Sequence, residues 1–251
     1  MSRTQVTITT RDGACPASVF KSSGAGPWPA VIVFMDGPGI RPALFDLGER
    51  LASNGYYVLL PDMFYRDGPS EPVMDFAKVF GDETLRAAFF ARMGKAANPD
   101  AARSDAGAFL DFLSAQPEVS GGKVGVTGYC MGGGLALRAA ANYPEGVVAA
   151  GAFHPGHLTT DDPSSPHLLA DRIKARVYVG GADNDNGFTP EHKTMLEKAF
   201  ADAGVDHRVE IYEGAMHGYV MPDMSVYNEA AAERHWRELL ALFDGALKSA
   251  A

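Results

Sequence analysis

Three side chains, Cys130, Asp183 and His217, occur in the chain order and in the kinds of setting that nucleophilic acyl chemistry needs. Cys130 is the centre of Gly128-Tyr129-Cys130-Met131-Gly132, which follows an apolar β-branched run and precedes a small-residue segment at 135–141. Where a strand turns sharply into a helix, the central residue is held strained and exposed. Glycines two positions before and after it let the two elements approach without Cβ clashes. A thiol placed there lies at a helix N-terminus, whose partial positive charge lowers its pKa and stabilises an oxyanion. Asp183 ends the run Gly180-Gly181-Ala182-Asp183, where a carboxylate can orient an imidazole, and Asp185 competes for that role two residues on. His217 stands in Gly214-Ala215-Met216-His217-Gly218, between glycines that let a loop carry the ring over a sheet edge. A cysteine among glycines is by itself more often a packing residue. The later aspartate and histidine, each just past an expected strand, turn the reading toward a nucleophile.

The other histidines divide by setting. His154 follows a further strand end and is expected to line the pocket. With His157 and Asp161 it imitates a metal cluster, but the spacing is no recognised zinc pattern, so no metal is expected. His192, His207 and His235 are expected on solvated surfaces, and His167 lies in a loop.

Positioning these groups requires strand ends on one edge. Residues 5–10 and 17–21 alternate apolar and polar around the turn signal Asp12-Gly13, as half-buried antiparallel strands do. Residues 30–35 are continuously apolar, the pattern of a strand covered on both faces. Similar runs follow at 56–60, 123–127, 147–152 and 176–179, and a last strand is expected at 208–212. Helical periodicity intervenes: Leu44, Leu47 and Leu51; Ala102, Ala106, Phe109, Leu110 and Leu113; Met195, Leu196, Ala199 and Phe200; and Trp236, Leu239, Leu240, Phe243 and Leu247. Strand–helix alternation builds a mostly parallel sheet with helices on both faces, here in one domain over 1–251 with an N-terminal antiparallel hairpin. The stretch 63–97 is far longer than an ordinary connection. A helix is expected near 82–93, and Phe64, Tyr65, Phe76, Phe80, Phe89 and Phe90 mark the stretch as a lid-like insertion.

Composition narrows the rest. Among 251 residues, 31 acidic against 22 basic side chains leave a net charge of −9, which repels phosphate backbones and anionic membranes, so neither nucleic acid nor a membrane is an expected partner. No apolar run approaches the roughly 18 residues of a membrane span. Two cysteines and a polar start suggest a reduced, cytoplasmic protein, monomeric or homodimeric, with Cys15 as a packing residue.

The chain resembles the dienelactone hydrolase family of the α/β-hydrolase fold from about residue 6 to 247. The resemblance is carried by Ala30-Val-Ile-Val-Phe-Met-Asp36-Gly, Tyr57-Val-Leu-Leu-Pro61-Asp62-Met-Phe-Tyr, the segment Gly122 to Gly133 around Gly-Tyr-Cys130, Gly181-Ala-Asp183 and Ala215-Met-His217-Gly. It implies Cys130 as nucleophile, His217 as base, Asp183 as orienting acid, and an oxyanion hole from the backbone N–H groups of Met131 and Gly37. It also implies that Asp36, one methylene shorter than the family's glutamate, helps activate the thiol. Arg86 matches one of two arginines that hold a substrate carboxylate, whereas Met221 stands where the second would be. The implied activity is hydrolysis of a small ester or lactone through an acyl-thioester, without a cofactor. The loss of one arginine removes a bidentate clamp and favours a neutral substrate. The alternative is a non-catalytic ligand-binding or scaffold protein on the same fold.

Overall fold

The computed structural model describes residues 2–68 and 76–248, without the side chains of 76 and 77. Part of the expected insertion, 69–75, lies outside the described residues. The N-terminal hairpin pairs β1 (Ser2–Thr10) with β2 (Gly13–Lys21) in antiparallel register from Ser2↔Lys21 to Thr10↔Gly13. Both strands reach the Asp12-Gly13 turn, so β2 begins four residues before the alternating pattern becomes visible. The hairpin joins the sheet through antiparallel pairing of β2 with β4 (Tyr57–Pro61). From there every pairing is parallel: β4 with β3 (Trp28–Phe34), β3 with β5 (Val119–Tyr129), β5 with β6 (Val147–Phe153), β6 with β7 (Arg176–Ala182), and β7 with β8 (His207–Tyr212). The spatial order is therefore β1-β2-β4-β3-β5-β6-β7-β8.

This order locates the functional edge. The chain passes from β3 to β4 in one direction through α1 (Pro42–Ser53), and from β4 to β5 in the other through α4 (Pro99–Ser114). Right-handed crossovers in opposite directions put their helices on opposite faces, and the reversal opens a crevice at the carboxyl ends of the two central strands. The switch lies between β3 and β5. Onward steps through α5 (Met131–Asn142) and α6 (Pro190–Asp202) run the same way as α4 and cover its face. The C-terminal helix α7 (Glu229–Phe243) returns to the face of α1, where Arg50 pairs with Glu233 and lies over the Trp236 ring at 4.4 Å. A sheet covered on both faces explains the apolar runs: Ala30 to Met35 and Val58 to Leu60 are all buried. The architecture is an α/β-hydrolase fold.

Between β4 and α4 lie two further helices, α2 (Phe76–Gly81) and α3 (Glu83–Ala96). Asp82 caps α3 by accepting the Leu85 backbone N–H at 3.0 Å, and α3 runs past the expected 82–93 to Ala96. Only Ala96 of this helix is buried. The expected aromatic insertion divides in two. Phe64 is in the core with the Arg92 guanidinium over its ring at 4.3 Å, and the Tyr65 hydroxyl donates to Asp105, whereas Phe80, Phe89 and Phe90 stand together over the crevice.

Candidate active site

Cys130 occupies the hinge between β5 and α5 with φ 55° and ψ −119°, a conformation that costs a non-glycine residue of order 1–3 kcal/mol. The surroundings enforce it. A Cβ on Gly128 would collide with the Gly132 carbonyl, and one on Gly132 would come within 2.6 Å of the Met35 carbonyl oxygen, so α5 lies directly on β3 and β5. The Cys130 N–H donates to the Phe153 carbonyl at 3.1 Å, tying the turn to the neighbouring strand.

The loops after β3, β5, β6 and β8 meet around a cavity of about 330 Å³. Asp36, Gly37 and Pro38 form one wall, Cys130 the base, and His154, His217 and Gly218 the opposite wall. Phe80, Phe89, Phe90 and Met93 from α2 and α3, with Met224, close the remainder. His217 Nδ1 lies 2.6 Å from Asp185 Oδ2. Burial pulls the His217 imidazole down. Its hydrogen bonds to Asp185 and to Cys130, with the charges of both, outweigh that and raise it to about 10. Burial works against the charge of Asp185 too, yet the bond to His217 and the Gly187 N–H, which donates to Oδ1 at 2.8 Å, hold its carboxyl below the ordinary range. Such a chain of thiol, imidazole and carboxylate can move a proton from sulfur to nitrogen and stabilise the resulting cation.

The carboxylate on His217 is Asp185, which corrects the assignment of Asp183. Asp183 directs both oxygens to backbone: Oδ1 accepts from the Asn184 N–H and Oδ2 from the Gly214 N–H, each at 2.9 Å. Its own N–H donates to the Ala215 carbonyl at 2.6 Å. It therefore ties the loop after β7 to the loop that carries His217. Asn184 has φ 52°, and this left-handed residue turns the chain back so that Asp185 faces the ring.

Asp36 also departs from its expected role. It is 2% exposed, and Arg41 takes both its oxygens, Nη1 on Oδ1 at 2.6 Å and Nη2 on Oδ2 at 2.9 Å. The same guanidinium bonds Asp223 through Nε at 2.6 Å. Burial pushes the Asp36 carboxyl up and the Arg41 pairing opposes it. Asp36 and Arg41 thus form a buried ion pair within the loop after β3, which Arg41 extends to Asp223 in the loop after β8, and both Asp36 oxygens are occupied by the guanidinium. Arg41 lies five residues beyond Asp36, outside the motif that carries it, and gave no signal in the sequence.

Arg86 does not line the cavity. Its Nη1 donates to the Phe80 carbonyl at 3.1 Å, stitching α3 to α2. Met221 is fully buried and lines a separate surface depression with Trp236. Gly37 lines the cavity, and Met131 is the first residue of α5 after Cys130. His154 does line the cavity. It is 1% exposed at φ 36°, its ring lies 5.2 Å from that of His217, and burial together with the neighbouring His217 holds it far below the ordinary imidazole range, hence neutral. Neither ring nitrogen of His154 has a hydrogen-bond partner.

Two remaining expectations resolve differently. His235, expected on a surface, is fully buried with its Nε2 2.9 Å from the Tyr129 hydroxyl, because α7 packs on β6 and β7 and not at the periphery. Cys15 is a buried free thiol, pushed up to about 12 by burial and by the nearby carboxylates of Asp105 and Asp62. No helix among the described residues is long and apolar enough to cross a membrane.

A strained cysteine at a strand–helix elbow over the sheet's switch point, facing a histidine and an aspartate from later strand ends, defines a hydrolase-type site on an α/β-hydrolase fold. The chain belongs to the dienelactone hydrolase family, whose model matches residues 15–247. Similar proteins include a putative carboxymethylenebutenolidase of Synechocystis, 25% identical over 98% of this chain and 97% of that one. Another from Escherichia coli K12 is 29% identical over 87% of this chain and 77% of its own length. Among solved structures, a putative dienelactone hydrolase of Klebsiella pneumoniae superposes with a TM-score of 0.82 at 22% identity, covering 96% of this chain and 98% of that one. A dienelactone hydrolase-like promiscuous phosphotriesterase from metagenomic libraries has a TM-score of 0.74 at 26% identity, covering 98% and all of the two chains.

Proposed function

We propose that this protein hydrolyses small carboxylic esters or lactones by a Cys130–His217–Asp185 triad. The observation that carries the reading is His217 held between the Asp185 carboxylate and the elbow cysteine. His217 takes the Cys130 proton, and the sulfur adds to the substrate carbonyl. The oxyanion accepts from the backbone N–H groups of Met131 and Gly37, at the start of α5 and in the loop after β3. Collapse breaks the carbon–oxygen bond, His217 returns the proton to the departing oxygen, and an acyl-thioester remains on Cys130. Water then attacks that carbonyl as His217 accepts its proton. The thiol leaves protonated, the carboxylic acid is released, and no cofactor takes part.

Neutral His154 beside His217 lets the ring carry its positive charge without a second cation next to it. The substrate is a single small molecule met in the cytoplasm, by a monomer or homodimer. Replacing Cys130 by Ala should lower kcat/KM on p-nitrophenyl esters by at least about a thousandfold, with an unchanged circular dichroism spectrum. Iodoacetamide should label Cys130 and spare Cys15, which is buried and has its thiol pushed up to about 12. Full activity in Cys130→Ala overturns the mechanism, and an unreactive Cys130 with no ester turned over favours the ligand-binding alternative.

A further inference from the structure

We infer that the wall formed by α2 and α3 selects the acyl group, and that the substrates are neutral esters whose acyl side carries an aromatic or similarly bulky apolar group. This rests on the ester-hydrolase reading and deepens it. Strand order sets the two sides of the site. Cys130 lies at the end of β5, His217 past β8 on one side, and Gly37 past β3 on the other. Because His217 must deliver its proton to the departing oxygen, the leaving group lies toward β8 and the acyl remainder extends toward β3.

That is where Phe89 and Met93 stand. A Cβ on Gly37 would meet Phe89 Cζ at 2.9 Å and Met93 Sδ at 3.1 Å, so α3 is seated against the loop offered for the oxyanion. Phe80, Phe89 and Phe90 pack edge to face with centroids 5.4–6.2 Å apart and line the cavity together, an aromatic surface of the kind against which an apolar or aromatic acyl group packs. Phe80 and Phe90 remain 46% and 53% exposed, an apolar rim that a bound acyl group would cover.

Charge points the same way. No Lys or Arg lines the cavity among the described residues, and residues 69–75, outside them, contain neither. The guanidinium paired with the cavity-lining Asp36, that of Arg41, already meets two carboxylates, Asp36 and Asp223, so that group carries one net negative charge. A substrate carboxylate would enter an apolar pocket beside an acidic cluster with no partner, and uncompensated burial of a charge is strongly unfavourable.

The test holds the leaving group fixed and varies the acyl side: p-nitrophenyl acetate, p-nitrophenyl 3-phenylpropanoate and the p-nitrophenyl monoester of glutaric acid. The expected kcat/KM for the phenylpropanoate exceeds that for the anionic ester by at least about a hundredfold and that for acetate by about tenfold, in line with roughly 1.4 kcal/mol per decade. Phe90→Ala should shrink the phenylpropanoate-to-acetate ratio severalfold. Phe90→Lys should raise the hemiglutarate-to-phenylpropanoate ratio at least tenfold, a gain that misfolding does not produce. Equal rates on the three esters, or ratios unmoved by both Phe90 variants, overturn the proposal. Calorimetric titration of Cys130→Ala with the same esters separates it from the reading it rests on. If wild type hydrolyses none, preferential binding of the phenylpropanoate that Phe90→Ala weakens keeps the apolar wall and removes the esterase, whereas no preference removes both.

Discussion

Asn184 decides which carboxylate serves His217. In a continued strand Asp183 and Asp185 would point to the same side, and the first would be nearer the sheet end. A left-handed residue between them breaks that alternation, binds Asp183 to backbone and turns Asp185 inward. The consequence is measurable. In protein labelled at the imidazole carbons, the NMR titration of His217 should have its midpoint near 10, held there by Asp185 and Cys130. Asp185→Asn should lower it by more than one pH unit and reduce kcat by about a hundredfold or more. Asp183→Asn should leave the midpoint in place and act through loop stability. Because the His217 pKa is raised on folding, its contribution is complete below the ordinary 6.5 and lost as pH climbs through about 10. Asp185 is depressed, so its contribution is present above the ordinary 3.8 and lost in acid. The Tm gap between wild type and Asp185→Asn should therefore be widest between about pH 4 and 6.5. A midpoint shift of the same size in Asp183→Asn would return the acid role to that residue. The two aspartates were not separable by sequence, because a two-residue choice depends on one φ angle, although an asparagine between two aspartates is the chemistry that favours a left-handed turn.

At the level of elements, the legible parts were those fixed by local pattern. Continuous apolar runs identified the strands buried on both faces, and the glycines of the Cys130 turn identified the elbow, since helix and strand cannot approach so closely otherwise. What did not show was the burial of His235 against Tyr129, a contact between residues far apart in the chain that no window of sequence contains. Arg41 on Asp36 and Arg86 on the Phe80 carbonyl are local pairs, but they are set by the loop after β3 and by the α2–α3 turn and not by any apolar or glycine pattern. The helix α3 falls between these cases. Its existence follows from the Asp82 cap and its length, but its seat rests on Phe89 and Met93 over the cavity and on tethers near its C-terminus, where Lys95 pairs with Asp67 at 2.6 Å. A helix with a single fully buried residue has little apolar burial to lose on opening. Amide hydrogen exchange should accordingly be at least about a hundredfold faster in the middle of α3 than in α5, where nine of twelve residues are buried. Saturating 3-phenylpropanamide, a neutral amide analogue of the favoured acyl group, should slow α3 exchange selectively. Equal protection of the two helices in the free protein would mean that the wall is as rigid as the core.

Across the whole molecule the net charge of −9 and the absence of a cation in the described cavity lining act together on any substrate that approaches. Long-range repulsion lowers the encounter rate of an anion, and the acidic cluster of Asp36, Arg41 and Asp223 prolongs that repulsion to the cavity wall. The two contributions differ in their response to salt. The Debye length falls from about 30 Å at 0.01 M to about 3 Å at 1 M, so the first is screened, while in the cluster Asp36 and Arg41 are buried and respond to salt much less than the half-exposed Asp223. For p-nitrophenyl hemiglutarate, kcat/KM should rise severalfold between about 0.01 and 0.5 M sodium chloride and then level off well below the value for the neutral phenylpropanoate ester, whose kcat/KM should stay within about twofold throughout. The plateau measures the unscreened, local part of the discrimination. If the anionic ester caught up with the neutral one at high salt, selectivity would lie in the overall field of the protein and not in the wall beside Gly37. If its rate fell with salt, a cation in the approach path would be attracting it, the opposite of the repulsion that a net charge of −9 produces.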